Sequence, residues 1–137
     1  VRVYYEDTDA GGVVYYANYL KFLERARTEW LRALGFDLPG LARDHGAMFI
    51  VRSLAVDYLR PAALNDEIAV TVELERLGAG QILLEQRITR GSEELAAARV
   101  RLACVNPATF RPVRIPTSVA ARLARRAPYG KPGEHSG

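Results

Sequence analysis

An α+β domain, one antiparallel sheet curved around one long helix, is the fold class this sequence predicts. Three observations predict it. Apolar residues recur with a helical period once, between Asn18 and Gly35, over roughly four turns. Strand-like segments dominate the rest of the chain, the clearest with a strict two-residue period. Short turn signals between the later segments require antiparallel neighbours. One amphipathic helix and one sheet each have an apolar side to bury, and a sheet curving around the helix buries both.

Val1, Val3 and Tyr5 alternate with Arg2, Tyr4 and Glu6, a short strand running into an acidic loop. The helix after this loop carries Tyr19, Phe22, Leu23, Ala26, Trp30, Ala33 and Leu34 as its apolar stripe. Lys21, Glu24, Arg25, Thr28, Glu29 and Arg32 fill most of the opposite face, with Leu20 and Leu31 outside the stripe. Asn18 is the predicted N-cap and Gly35 the C-terminal stop. Leu38 to Gly46, with Pro39 and Gly40, reads as a connector. Phe49 to Arg60 is an apolar strand stopped by Pro61. Ile68, Val70, Val72 and Leu74 then alternate with Ala69, Thr71, Glu73 and Glu75. A Gly-Ala-Gly turn at 78–80 leads into a strand from Gln81 to Thr89, and a turn at 90–93 into the last strand, Leu95 to Asn106. Pro107 to Pro116 is irregular, and Thr117 to Arg126 reads as a short basic helix. The domain is expected to span residues 1–127, and the Pro/Gly-rich segment 128–137 to be a disordered tail. A five-stranded sheet of this kind keeps open edges, so self-association is expected.

Composition narrows the function. The 137 residues carry a formal charge of +3 from scattered arginines, a balance that suits an anionic small molecule at least as well as nucleic acid. No basic stripe with interleaved aromatics supports nucleic-acid binding. The single cysteine, Cys104, excludes an internal disulfide and a Cys-rich zinc site. No apolar run approaches the ~20 residues of a transmembrane segment. No signal peptide is read, and Val1 falls in mid-strand, so a few residues are expected to precede it; the expected location is cytoplasmic.

The chemistry concentrates in one stretch, YEDTDAGGVVYYANYL, Tyr5 to Leu20. Asp7-Thr8-Asp9-Ala10-Gly11-Gly12 begins like a calcium loop, but its fifth position is Gly11 and its twelfth is Asn18, so two ligands are missing. No metal is expected. A carboxylate followed by glycines and a helix start suits acyl chemistry instead. The carboxylate attacks or serves as base, glycines allow close approach of a ligand, and helix N-terminal N–H groups receive a developing oxyanion.

The stretch VRVYYEDTDAGGVVYYANYLKFLERARTEWLR, Val1 to Arg32, with VRSLAVDYLRPAALND, Val51 to Asp66, resembles the hotdog-fold thioesterases. The resemblance is to the 4-hydroxybenzoyl-CoA thioesterase superfamily, in its branch of Tol-Pal-associated acyl-CoA thioesterases, and strand order agrees across roughly Val1 to Pro107. It implies a hotdog fold and hydrolysis of an acyl- or aroyl-CoA to free acid and CoA. It places catalysis on Asp9, the oxyanion contact on the backbone N–H of Tyr16, and substrate contacts on Gly11, Gly12, Val14 and Asn18. Coenzyme A would enter as part of the substrate, with no separate cofactor. A homodimer or homotetramer is implied, with the site at the subunit interface and the strand after the helix supplied by the partner. Tyr16 departs from the branch, whose nearest members resemble histidine there; backbone donation survives that change, and any imidazole contribution does not.

Each residue has a plainer reading. Asp9 can cap the loop or helix, and Asp7 reads as an Asx-type loop organiser. Glu24 can reach the site as a second acid, but reads first as a structural partner of Arg27 and Thr28 at neighbouring-turn spacing. Gly11 and Gly12 can be ordinary turn residues, and Asn18 a cap. Tyr4, Tyr5, Tyr15, Tyr16 and Tyr19 are candidates to stack on adenine, although Tyr19 fits the core. Arg52, Arg60, Arg87 and Arg90 are candidates for the CoA phosphates against a reading as solvated charges. Two other functions compete. A hydratase or dehydratase would pair histidine with a carboxylate, and neither His45 nor His135 sits in such a motif; His45 reads as exposed. A non-catalytic acyl-CoA-binding or scaffold protein of a membrane-associated complex is the alternative of different class, opposed by the intact Asp9 and both glycines.

Overall fold

The computed structural model describes residues 1–4, Thr8 and 16–125, with only the backbone of Tyr16. Three helices and five strands are arranged in the order α1 (Tyr16–Ala33), α2 (Leu38–His45), β1 (Met48–Tyr58), β2 (Ala69–Val70), β3 (Glu73–Leu77), β4 (Gln81–Arg90), β5 (Glu93–Val105) and α3 (Thr117–Ala124). The strands form one antiparallel sheet in the order β1-β5-β4-β2, with β3 also paired to β4. The five strands are not quite the five expected. Residues 1–4 join the sheet through a bridge from Arg2 to Glu67, supported by bonds from Val3 N–H to the Asp66 carbonyl (3.0 Å) and from Ile68 N–H to the Val1 carbonyl (2.7 Å). The strand expected over Ile68–Glu75 is split into β2 and β3. At the break the Thr71 hydroxyl accepts the Arg87 N–H at 3.0 Å, replacing a backbone acceptor, and a register shift comes next, between Leu74 and Arg76.

Helix α1 lies on one face of the sheet. Its first half buries Tyr19, Phe22 and Leu23 against Val3, Ala62, Ile68, Ile88, Leu95, Ala96 and Ala98. Its last turn joins a second cluster built from Leu34, Leu41, Leu74, Ile82, Leu84, Val100, Leu102, Cys104 and three residues toward the C-terminus, Ile115, Val119 and Leu123. The stripe differs from expectation at two places: Leu31 is buried and Ala33 is exposed. The helix stops at Gly35, whose φ of +95° suits a residue without Cβ. Gly35 N–H bonds the Arg32 carbonyl and Phe36 N–H the Leu31 carbonyl, the pair of bonds that closes a Schellman terminus.

The Leu38–Gly46 connector is in fact helical. Asp37 caps α2 by accepting the Gly40 N–H at 2.6 Å, Pro39 sits in the first turn where no intrahelical donor is needed, and Gly46 closes the end at φ +60°. The predicted terminal helix is present as α3. Residues 126–137, with the tail 128–137, lie outside the described residues. Among the described residues no helix is long and apolar enough to cross a membrane.

Candidate active site

The start of α1 is fixed from two sides. The Tyr19 ring is fully buried and its hydroxyl accepts the Ala62 N–H at 2.7 Å, tying the first turn to the loop after β1. Tyr58, near the end of β1, lies against it with ring centroids 5.4 Å apart. That loop belongs to the second stretch of the family resemblance and is itself braced. Asp66 accepts the Ala63 N–H at 2.7 Å and a bond from Arg90 at 2.6 Å, and Glu93 bridges Arg90 to Arg60. Thr8, between the two aspartates, is buried.

Of the predicted site residues, Asp9, Gly11, Gly12 and Val14 lie outside the described residues, as do Asp7, Tyr5 and Tyr15. Tyr16 opens α1, so its backbone N–H is one of the four at a helix start with no intrahelical acceptor. Asn18 is not the N-cap. The helix begins two residues earlier, and Asn18 sits in its first turn at 8% exposure. Tyr19 is a core residue and offers no stacking face, whereas Tyr4 is exposed. Three of the four candidate phosphate arginines are occupied: Arg60 by Glu93, Arg87 by Glu85 and Glu94, Arg90 by Asp66 and Glu93. Arg52 alone of the four has no ion pair among the described residues. His45 is exposed in the last turn of α2, as expected.

The sheet presents a second feature beside α1. The row of β4 side chains facing the helix is Ile82, Leu84, Gln86 and Ile88, and Gln86 is 0% exposed at the seam between the two core clusters. Its amide donates to the Leu23 carbonyl at 3.0 Å and accepts from Arg27 Nη1 at 2.9 Å. Arg27 is thus anchored to the sheet and not to Glu24. Burial lowers its pKa, and the nearby Glu24 charge acts in the opposite direction. Glu24 itself is exposed and makes no hydrogen bond through its carboxylate among the described residues; Thr28 bonds only the Glu24 backbone carbonyl, at 3.2 Å. Arg27 and Glu24, with Thr28 and Asp37, open on a cavity of about 110 Å³ on the flank of α1, walled otherwise by Leu31, Leu38, Phe49, Val51 and Leu102. Nothing in the sequence marks Gln86 as a partner, because there it reads as one polar interruption of a strand.

Strand β1 forms an edge. Its residues pair with β5 alone, and a register shift between Val51 and Ser53 keeps Val51, Leu54 and Tyr58 on the helix side, opposite Leu102, Val100 and Ala96. These three remain 47%, 37% and 39% exposed, an apolar row left partly open among the described residues. Among the described residues no cluster of His, Cys, Asp or Glu fits a metal ion. Cys104 is buried, and burial pushes its thiol pKa up.

A long helix laid along one face of an antiparallel sheet is the hotdog arrangement. Residues 3–123 match the family model described as the thioesterase-like superfamily, and the chain belongs to that family. It is 48% identical over 121 residues to a Haemophilus influenzae protein named acyl-CoA thioesterase YbgC, covering 88% of this chain and 89% of the relative. It is 43% identical over 124 residues to the acyl-CoA thioester hydrolase YbgC of Escherichia coli O157:H7, covering 90% and 92%. Among solved structures, a probable thioesterase from Bartonella henselae superposes with a TM-score of 0.78 at 37% identity, covering 85% of this chain and 95% of that one.

Proposed function

We propose that the protein hydrolyses the thioester of an acyl- or aroyl-CoA to the free acid and coenzyme A. The observation that carries this reading is the beginning of an 18-residue helix at Tyr16, shortly after Asp9, Gly11 and Gly12 in the sequence. It is supported by the acyl-CoA thioesterases to which nearly all of the chain is similar. In this reading the Tyr16 N–H takes the developing oxyanion, and Asp9 acts on the carbonyl carbon in one of two ways. As nucleophile its carboxylate forms a mixed anhydride, expelling CoA as the thiolate, and water then cleaves the anhydride. As base it takes a proton from the attacking water, and CoA again departs. Gly11, Gly12, Val14 and Asn18 frame the acyl group and the thioester. Neither route needs a metal or a cofactor, and a cytoplasmic location goes with such a substrate.

The reading includes a dimer built on the open edge of β1. Pairing that strand with its own copy about a two-fold axis covers Val51, Leu54 and Tyr58 with the same row of the second copy. Helix α1 runs antiparallel to β1: Tyr58 meets Tyr19 in its first turn, while Phe49 and Val51 share a cavity with Leu31 near its end. The two-fold therefore brings the cavity of one copy beside the α1 start of the other. A tetramer would add a further interface to this pair.

The test is a panel of acyl-CoAs assayed by thiol release. Asp9→Asn removes charge and basicity at nearly constant size, and turnover is expected to fall about 10²–10⁴-fold with the melting temperature preserved. A folded Asp9→Asn variant with near-parental turnover, beside a dead Glu24→Gln variant, would move the chemistry to the other carboxylate.

A further inference from the structure

A helix start is a weak place to fix a catalytic donor. Its first four N–H groups have no intrahelical acceptor, so the first turn is held by fewer bonds than the turns behind it. An oxyanion donor is effective only if it stands in place before charge develops. The first turn of α1 therefore gains from an anchor outside the helix, and Tyr19, three residues after Tyr16, supplies one. Its ring is fully buried among apolar side chains, a place that phenylalanine would fill as well. Packing thus leaves the hydroxyl unexplained. That oxygen accepts the Ala62 N–H at 2.7 Å and donates to the Arg60 carbonyl at 3.5 Å. The backbone on either side of Pro61 so closes on one phenol, and Pro61 itself has no N–H to offer.

The segment that closes on Tyr19 is clamped in turn from the far end of the sheet. The Leu59 and Arg60 N–H groups both bond the Leu95 carbonyl, at 2.8 and 3.1 Å. Arg90, the last residue of β4, grips the rest. Its Nη1 donates to Asp66 at 2.6 Å and to the Pro61 carbonyl at 3.5 Å, and Asp66 also accepts the Ala63 N–H. Its Nε and Nη2 hold one oxygen of Glu93, whose other oxygen takes Arg60. The planar fork of one arginine therefore reaches both flanks of the bend around the phenol. A continuous set of hydrogen bonds runs from the 90–93 turn to the first turn of α1. We propose that Tyr19 is a positioning residue: held through residues 60–66 by the Arg90 clamp, it sets the place of the Tyr16 N–H without touching substrate. This rests on the thioesterase reading above, in which that N–H receives the oxyanion.

The experiment is a double-mutant cycle on Tyr19→Phe and Arg90→Gln, with kcat and KM measured separately on the acyl-CoA panel, well below each variant's melting temperature. A donor displaced but still present should cost less than a donor removed, so Tyr19→Phe should lower kcat about 10–100-fold with KM nearly unchanged. Arg90→Gln should lower kcat about 3–10-fold, again at constant KM, although its side chain lies in a surface network. Because the clamp acts through the phenol, the double variant should be no slower than Tyr19→Phe alone. A merely structural tie would lower the melting temperature and leave kcat at the parental value, and that result for a folded Tyr19→Phe overturns the inference. So does a KM rise at parental kcat in Arg90→Gln, which would assign that guanidinium to the CoA phosphates. Losses that multiply in the double variant overturn it as well. Should Tyr19→Phe not fold, Arg90→Gln alone decides, parental kcat being the refuting result. Each of these outcomes leaves the thioesterase reading standing, whereas a parent that releases no thiol from any acyl-CoA overturns both.

Discussion

Removing the guanidinium of Arg122 should weaken the whole fold although Arg122 is far in sequence from the helix it serves. From α3 its Nη1 donates to the Leu34 carbonyl at 2.6 Å, and its guanidinium carbon stands 5.5 Å from the centroid of the Phe36 ring. Leu34 comes directly after α1, so a cation there meets the negative end of the helix dipole. A hydrogen bond to a charged group is worth about 1.5–3 kcal/mol, the dipole about 0.3–1 kcal/mol and the ring about 0.5–1 kcal/mol. These terms share one guanidinium and do not add. Arg122 is also exposed, so solvent screening places the expected loss near the low end, about 1–2 kcal/mol for Arg122→Met, which keeps the aliphatic stem. At about 2–4 °C per kcal/mol for a chain approaching this size, the melting temperature should fall by roughly 2–8 °C. Arg122→Lys keeps the charge and loses the fork, and should fall in between. Both are compared with the parent by urea and thermal denaturation at one fixed protein concentration, since self-association shifts apparent stability. An Arg122→Met midpoint equal to the parent's at unchanged urea slope would refute the capping role.

Two more variants probe the loop after β1 and the sheet edge. Asp66 is desolvated, which by itself raises its pKa, but the Ala63 N–H and Arg90 together outweigh this and hold it below the usual carboxylate range. A carboxylate with a depressed folded-state pKa contributes stability above its unfolded pKa and loses it as pH falls through the folded value; Asp66→Asn should therefore be less stable than the parent at pH 7, and the difference should shrink as pH falls through the acid range, read from melting temperatures. On the open edge, Leu54→Lys places a charge in the middle of the apolar row of β1 and should convert the proposed dimer to monomer with loss of turnover, measured by analytical ultracentrifugation beside thiol release; a fully active Leu54→Lys monomer would overturn both the proposed dimer and its shared site.

The elements that can be read from sequence are those whose signal is local. Tyr19, Phe22, Leu23 and Leu34 repeat with the helical period, and Gly35 stops the helix, so α1 is legible to within a turn. Helix α2 is hidden because Pro39 and Gly40 read as breakers, although a proline is tolerated in the first turn and Asp37 and Gly46 are the caps that frame it. The alternation from Ile68 to Glu75 is real, but a side-chain hydroxyl at Thr71 interrupts the ladder, and no periodicity reports that. The candidate site divides the same way. The Asp9–Gly11–Gly12 stretch lies in consecutive sequence and can be recognised as a motif, whereas Arg27 and Gln86 meet across 59 residues and are visible only once the sheet is under the helix.

That long-range pair separates what stabilises the molecule from what directs it. The helix face of β4 would form one uninterrupted apolar row if position 86 were apolar, and the Leu23 carbonyl would still keep its intrahelical partner. Instead the core is split in two at Gln86, at the level where α1 turns one side to the sheet and the other to the open flank beside β1. Stability considered alone disfavours that arrangement, because each buried polar group must be matched to avoid a penalty. What the pair provides in return is a guanidinium whose orientation is fixed as the protein folds. The same seam would also couple helix to sheet in register: sliding α1 by one turn would part Gln86 from both of its partners. A polar pair in this position thus holds the helix at one height over the sheet and fixes where its start stands relative to the loop after β1.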